Sequence, residues 1–86
     1  MITSGQIKAA RGLVGWTARQ LAEKAEIGFS TLIRLESEGG VPSSHVKTLG
    51  AIKAAFEKVG IEFIGAPESG AGVRWKDGMP TAAVNK

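Results

Sequence analysis

The segment LAEKAEIGFSTLIRLE, residues 21–36, most constrains the fold, because it contains two short helical patterns separated by only three residues. The first pattern has Leu21 and Ala25 at helical spacing, and the second has Leu32 and Leu35. Each helix would have only about two to three turns, and helices this short are marginal in water on their own. Both helices must therefore pack against other parts of the chain.

Two copies of a helix-start motif, T-x-x-Q, precede these patterns at Thr3–Gln6 and Thr17–Gln20. In such a capping box, the threonine hydroxyl and the glutamine side chain each accept a hydrogen bond from the other residue's backbone N–H. The motifs predict helix 1 from about Ser4 to Leu13 and helix 2 from about Ala18 to Ala25. Trp16 precedes the second box and is predicted to lie in the core.

The next two helices are bounded by glycine and serine residues. Gly28 is a tolerable N-cap for helix 3, which should end near Glu38. After a glycine- and serine-rich loop, Ser43 or Ser44 can cap helix 4, which should continue to about Val59 and stop at the following glycine. The apolar stripe of helix 4 is predicted to be Val46, Leu49, Ile52 and Phe56.

The carboxy-terminal part of the chain predicts a small β-hairpin and a tail. Residues 61–64 alternate like a strand, the glycine-rich residues 66–72 are predicted to be a turn or loop, and residues 73–75 can pair back on the first strand. Residues 77–86 lack apolar periodicity and are predicted to be disordered. Because a lone two-stranded ribbon is marginal, the hairpin should either close the core over helix 4 or join two subunits.

Composition argues against several classes of protein. The 86 residues include no cysteine and one histidine, so neither a disulfide framework nor an ordinary zinc site is expected. Motifs of phosphate loops, dinucleotide sites, metalloproteases and serine nucleophiles are missing, so we expect no catalytic residue, no enzyme activity and no cofactor.

No apolar stretch has the length of a signal peptide or membrane span, which favours a cytoplasmic protein. The net charge of +3 weakly favours a polyanionic partner.

Two short helices joined by a tight turn and flanked by further helices form a helix-turn-helix, whose second helix enters the DNA major groove. The stretch GWTARQLAEKAEIGFSTLIRLESEGGVPS resembles the Xre family of phage Cro and repressor proteins, whose pattern is roughly GWSQxELAxxxGVSxxTIxRxExGxxxPS. The resemblance covers about residues 2–60, and the downstream residues are similar to a subgroup of small stand-alone bacterial regulators.

The resemblance implies a mainly α fold, a lambda-repressor-like four-helix domain at residues 1–60, with a short C-terminal β-hairpin at residues 61–76 and the tail at 77–86. It also implies a sequence-specific transcriptional regulator that inserts helix 3 into the major groove of double-stranded operator DNA. Such a protein is expected to be a homodimer in the bacterial cytoplasm and associated with the nucleoid when bound.

The resemblance further implies roles for individual residues. Arg11 and Glu36 occupy positions that form a partly buried ion pair between helices 1 and 3, and two solvated charges are the alternative. Arg19, near the start of helix 2, is a candidate phosphate contact. The base-contacting positions of helix 3 correspond to Gly28, Phe29, Ser30 and Arg34.

Some residues depart from the family pattern. Glu26 stands where the turn usually has glycine, and Ala18 stands where a phosphate-binding glutamine is common. Phe29 and Ile33 lie one helical turn apart, so they suit either thymine methyl groups or an apolar protein surface. A second hypothesis is therefore a helix-turn-helix used as a protein-binding module, an antitoxin or an adaptor, although the net charge and the four-helix pattern favour the regulator.

Overall fold

The computed structural model describes residues 2–42 and 46–80. Within these ranges the chain forms a mainly helical fold that ends in an antiparallel β-hairpin, which confirms the predicted fold class. No helix in the described ranges is both long and apolar enough to cross a membrane. The elements are α1 (Ser4–Val14), α2 (Ala18–Ala25), α3 (Phe29–Ser37), α4 (Val46–Glu57), β1 (Ile61–Ala66) and β2 (Ser69–Trp75).

Both predicted capping boxes are present at the starts of α1 and α2. Thr3 Oγ1 accepts from the Gln6 N–H at 3.0 Å, and Gln6 Oε1 accepts from the Thr3 N–H at 2.8 Å. The corresponding distances for Thr17 and Gln20 are 3.1 and 2.8 Å. These side chains satisfy backbone donors that the first turn of a helix leaves without partners, so the boxes fix where each helix begins.

The later helices follow the predicted order with small shifts in their ends. Gly28 is the N-cap of α3, as predicted, and α3 ends at Ser37, just before the predicted Glu38. The α4 helix ends at Glu57, short of the predicted Val59, because the next residues tighten into a turn. The predicted cap at Ser43 or Ser44 lies outside the described residues.

One apolar core joins the helices to the hairpin. The rings of Trp16 and Phe56 stack with centroids 5.2 Å apart, which confirms the predicted core position of Trp16. Phe56 also contacts Phe63 of β1, with ring centroids 5.9 Å apart. The fully buried large apolar side chains are Ile7, Leu21, Leu32, Leu35, Ile52, Phe56 and Ile61.

The predicted apolar stripe of α4 is wrong at its first residue. Ile52 and Phe56 are completely buried and Leu49 is partly buried, but Val46 is 86% exposed. Val46 has the spacing of the apolar stripe, but the described residues do not cover it. Helical periodicity identifies the face of a helix but not how far along its length the neighbouring elements reach.

The hairpin is longer than predicted. Its register runs from Ile61 opposite Trp75 to Ile64 opposite Gly72, and residues 69–72, predicted as loop, belong to β2. The turn is confined to residues 67 and 68. Gly65 has a φ of +76°, and a Cβ atom there would overlap the Gly70 backbone, so this irregular strand position requires glycine.

The hairpin packs on the helices of the same chain. The side-chain amide nitrogen of Gln6 donates to the carbonyl oxygens of Ile64 at 3.2 Å and Gly72 at 2.8 Å, one on each strand. Phe63, Val73 and Trp75 pack against the buried core. The hairpin therefore closes the core of the monomer, which is one of the two roles left open for it. Residues 77–80 of the predicted tail form an exposed turn and bend, and residues 81–86 lie outside the described ranges.

Candidate functional site

The turn between α2 and α3 fixes how these two helices meet. The Ile27 N–H donates to the Ala22 carbonyl at 3.0 Å, and the Glu26 N–H donates to the Glu23 carbonyl at 3.2 Å. This is the hydrogen-bond pattern of a Schellman motif, in which a left-handed residue reverses the chain. Glu26 takes that conformation, with φ 58° and ψ 46°, and among the described residues no other non-glycine residue has positive φ.

The α3 helix has a buried face and an exposed face. Leu32, Leu35 and Glu36 are buried against the rest of the protein. The predicted contact residues of α3 and its N-cap lie together on the outer side of the helix. The exposed residues of this segment are Gly28, Phe29, Ser30, Ile33, Arg34 and Ser37.

An ion pair between α1 and α3 holds the buried face of α3 in place. Arg11 Nε donates to Glu36 Oε2 at 2.8 Å and Arg11 Nη2 donates to Glu36 Oε1 at 2.9 Å, a bidentate arrangement. Arg11 Nη1 also donates to the Trp16 carbonyl at 3.1 Å. The Arg11 side chain is 23% exposed and that of Glu36 is 8% exposed. The structure therefore brings together the two residues of the predicted pair, and they are shielded charges instead of solvated ones.

Arg19 and Phe29 meet where α2 lies beside the start of α3. The guanidinium carbon of Arg19 lies 4.2 Å from the centroid of the Phe29 ring, at cation–π distance. The sequence singled out both residues separately, one for phosphate and one for thymine, but gave no indication that they touch. Contact across two helices depends on the crossing geometry, which local sequence patterns do not specify.

Arg34 is oriented along the outer face of α3 by Glu38. Arg34 Nη1 lies 2.9 Å from Glu38 Oε2, and the arginine side chain is 54% exposed. An exposed pair of this spacing contributes only about 0.3 to 0.5 kcal/mol. That pair by itself therefore holds the guanidinium only weakly.

Lys24 has a contact that sequence reasoning missed. Its Nζ atom lies 5.5 Å from the centroid of the Trp16 ring, at cation–π distance. Trp16 precedes α2 and Lys24 lies two helical turns later. Helical periodicity therefore places the two residues on the same side of α2 and was the signal that could have indicated their contact. Both residues line an open groove of about 430 Å³ between α2 and α4.

The arrangement offers groups suited to binding. Among residues 2–42 and 46–80, no cluster of histidine and acidic side chains is arranged to hold a metal ion. The geometry provides an exposed helix face with hydroxyl, guanidinium and aromatic groups, held by a partly buried ion pair. Such groups recognise the edges and phosphates of nucleic acids or the surface of another protein.

Part of the chain is similar to a known protein family. Residues 7–46 match the family model described as helix-turn-helix. The matched segment includes most of α1, all of α2 and α3, and the first residue of α4. Comparison with curated proteins gives no match.

Proposed function

We propose that this chain is a sequence-specific transcriptional regulator of the Xre-like helix-turn-helix kind, a proposal supported by the match of residues 7–46 to the helix-turn-helix family model. It binds double-stranded operator DNA by inserting α3 into the major groove. Its place of action would be the bacterial cytoplasm, on the nucleoid when bound to an operator. Neither a cofactor nor a metal ion is needed for this activity.

The single observation that carries this proposal is the two-sided character of α3. Its inner face is fixed by the Arg11–Glu36 ion pair and by buried leucines, while its outer face leaves Ser30 and Arg34 exposed. A recognition helix needs this combination, because base reading requires side chains held in a constant orientation.

The outer face of α3 supplies groups suited to different parts of DNA. The Arg34 guanidinium can donate two hydrogen bonds to guanine or bind a phosphate, and the Ser30 hydroxyl can bond to a base or a phosphate. Gly28 has no side chain, which allows the backbone at the start of α3 to approach the groove closely. The outer face of α3 thus has few side chains that can read bases.

The small number of reading groups favours a homodimer as the active form. Each base pair that is read contributes only about 1 to 3 kcal/mol, and the genome offers a great excess of competing sites. A twofold dimer would place two α3 helices in successive major grooves about 34 Å apart on a palindromic operator. In the described part of the chain the sheet has two strands, so β1 and β2 each have one edge that is not paired with another strand of the same chain.

A specific observation also supports a second candidate function, a protein-binding module such as an antitoxin or adaptor. Phe29 is 37% exposed and Ile33 is 43% exposed on the outer face of α3. The charge of Arg34 on the same face is partly compensated by Glu38. An exposed apolar pair beside a neutralised arginine suits a protein surface as well as it suits DNA.

Selection of bound duplexes from random DNA distinguishes the two functions. The proposed regulator should return a sequence motif, and that motif should be palindromic if the dimer is correct. A wild-type protein that binds no duplex at low salt would contradict the regulator and favour the protein-binding module. Sedimentation of the full chain at micromolar concentration, with and without the selected duplex, tests the dimer separately.

Substitution of Arg34 tests whether α3 is the reading element. Arg34→Ala should weaken binding to the selected duplex by about 1 to 3 kcal/mol and relax the preference at one position if the contact is to a base. Arg74→Ala is the matched control, because Arg74 pairs with Glu62 at the same 2.9 Å distance and is 60% exposed on the hairpin. Equal losses for the two variants would contradict insertion of α3.

A further inference from the structure

The contact between Arg19 and Phe29 assigns these residues a joint role that their positions in the sequence do not suggest. We propose that Phe29 is a positioning residue, which holds the Arg19 guanidinium as a clamp for one DNA phosphate. This inference rests on the proposed DNA binding and specifies one contact within it. Phe29 then contributes to affinity through Arg19 and not through a contact with thymine.

The first argument concerns charge. The chain has four arginines, and Arg11, Arg34 and Arg74 each pair with a carboxylate at 2.8 to 2.9 Å. In the described ranges no carboxylate is within ion-pair distance of Arg19, whose partner is the Phe29 ring at 4.2 Å. A ring orients the guanidinium without neutralising it, so Arg19 retains its full attraction for a phosphate.

The second argument concerns geometry. Stacking on a ring uses the flat face of the guanidinium and leaves the N–H donors at its edge for other partners. Those edge donors match the paired oxygens of a phosphate group. The Phe29 ring, in contrast, has one face covered by Arg19, which reduces the aromatic surface available to a thymine methyl group.

The third argument concerns the neighbouring residues in the first turn of α2. Ala18 has no side-chain donor, and Gln20, whose side-chain oxygen accepts from the Thr17 N–H at 2.8 Å, offers a phosphate only an uncharged amide. Arg19 is therefore the residue of this turn whose side chain is long enough, and charged, to bind a phosphate. The positive end of the α2 dipole favours an anion at the same place.

A double-mutant cycle with measured salt dependence tests the clamp. With wild type, Arg19→Ala, Phe29→Leu and the double variant, affinities for the selected duplex are measured over a range of salt concentrations. Arg19→Ala should reduce the slope of log K against log salt by about 0.9, the amount expected for one lost phosphate contact. Phe29→Leu should weaken binding about two- to fivefold on every duplex, and should cost nothing further when Arg19 is already alanine.

Two variants separate positioning from a general loss of apolar surface. Phe29→Tyr keeps the aromatic ring and should restore wild-type affinity. Ile33→Ala removes another exposed apolar side chain of α3 and should leave the salt slope unchanged. Because Phe29 lies outside the buried core cluster, Phe29→Leu should keep the wild-type melting temperature, which checks that the protein remains folded.

The stack is also measurable without DNA. In the free protein, the side-chain protons of Arg19 should show upfield ring-current shifts in the NMR spectrum, and Phe29→Leu should abolish them. Absence of those shifts in wild type would overturn the clamp.

The outcomes of the cycle distinguish failure of the clamp from failure of the proposed function. If Phe29→Leu weakens binding equally with arginine or alanine at position 19, or only on duplexes with thymine at one position, Phe29 contacts a base and the clamp is wrong. If the wild type binds no duplex at low salt, the proposed regulator fails, and the clamp fails with it.

Discussion

Gln6 in α1 and Gln20 in α2 make the same local hydrogen bonds, but only one of them also binds a distant segment. Each side-chain oxygen accepts from a threonine N–H at 2.8 Å. Gln6 is 5% exposed and its amide nitrogen donates to two hairpin carbonyls, whereas Gln20 is exposed. The same four-residue motif therefore begins a helix in both places and joins tertiary elements in only one.

Two of the arginines, Arg11 and Arg34, differ in the same way. Arg11, beside the core, makes two hydrogen bonds to Glu36 and one to a backbone carbonyl. Arg34, on the outer face of α3, is held by the exposed Glu38. The Arg11 guanidinium is shielded and has several partners, so its contacts stabilise the fold. The Arg34–Glu38 pair is exposed and contributes little to stability.

The largest expected effect comes from removing one member of the shielded ion pair. Arg11→Met should lower the free energy of unfolding by about 3 kcal/mol, because Glu36 would remain as an unpaired shielded carboxylate. Arg34→Met, the matched change in the exposed pair, should cost only about 0.3 to 0.5 kcal/mol. Denaturant unfolding measures both values. Similar values for the two variants would mean that the shielded ion pair stabilises the fold no more than the exposed pair does.

An intermediate effect is expected at Gln6. Gln6→Leu should cost about 2 kcal/mol, since the Ile64 and Gly72 carbonyls and the Thr3 N–H would each lose a partner. Gln20→Leu removes only an exposed cap bond and should cost about 0.5 kcal/mol. Hydrogen exchange should show faster opening of β1 and β2 in Gln6→Leu alone. Unchanged exchange in the hairpin would mean that Gln6 does not hold it.

The smallest expected effect is a gain in stability at the turn. Glu26→Gly should stabilise the fold by about 1 kcal/mol, because the left-handed conformation is costly for a residue with a Cβ atom. Glu23→Gly, inside α2, should instead destabilise the fold by about 1 kcal/mol. Thermal unfolding compares the two glycine variants. A destabilised Glu26→Gly would show that the glutamate side chain contributes more than its backbone conformation costs.

Local motifs account for what could be predicted from the sequence. The capping boxes predicted where α1 and α2 begin, and Gly28 predicted where α3 begins. The family resemblance predicted the pairing of Arg11 with Glu36. These features depend on residues within one turn or on a known pattern. The glycine-rich β2 strand was missed because glycines show no alternation of apolar and polar side chains.

The remaining features depend on elements that are far apart in the sequence. Gln6 is separated from its carbonyl partners by 58 and 66 residues, and no local signal reports such a contact. The Arg19–Phe29 stack depends on how α2 and α3 cross, and the burial of each apolar residue of α4 depends on which other elements contact it. Periodicity alone specifies neither relation.

Amide chemical-shift mapping with a duplex obtained by selection tests the central claim most directly. If α3 reads DNA, the amides that shift should be those of Arg19 and of residues 28–34, while the hairpin residues 61–64, held by Gln6, should remain unchanged except where a dimer forms on the duplex. Repeating the titration at higher salt should reduce the shifts, since phosphate contacts release counterions. Shifts confined to the hairpin or α4, or no shifts at low salt, would contradict the account.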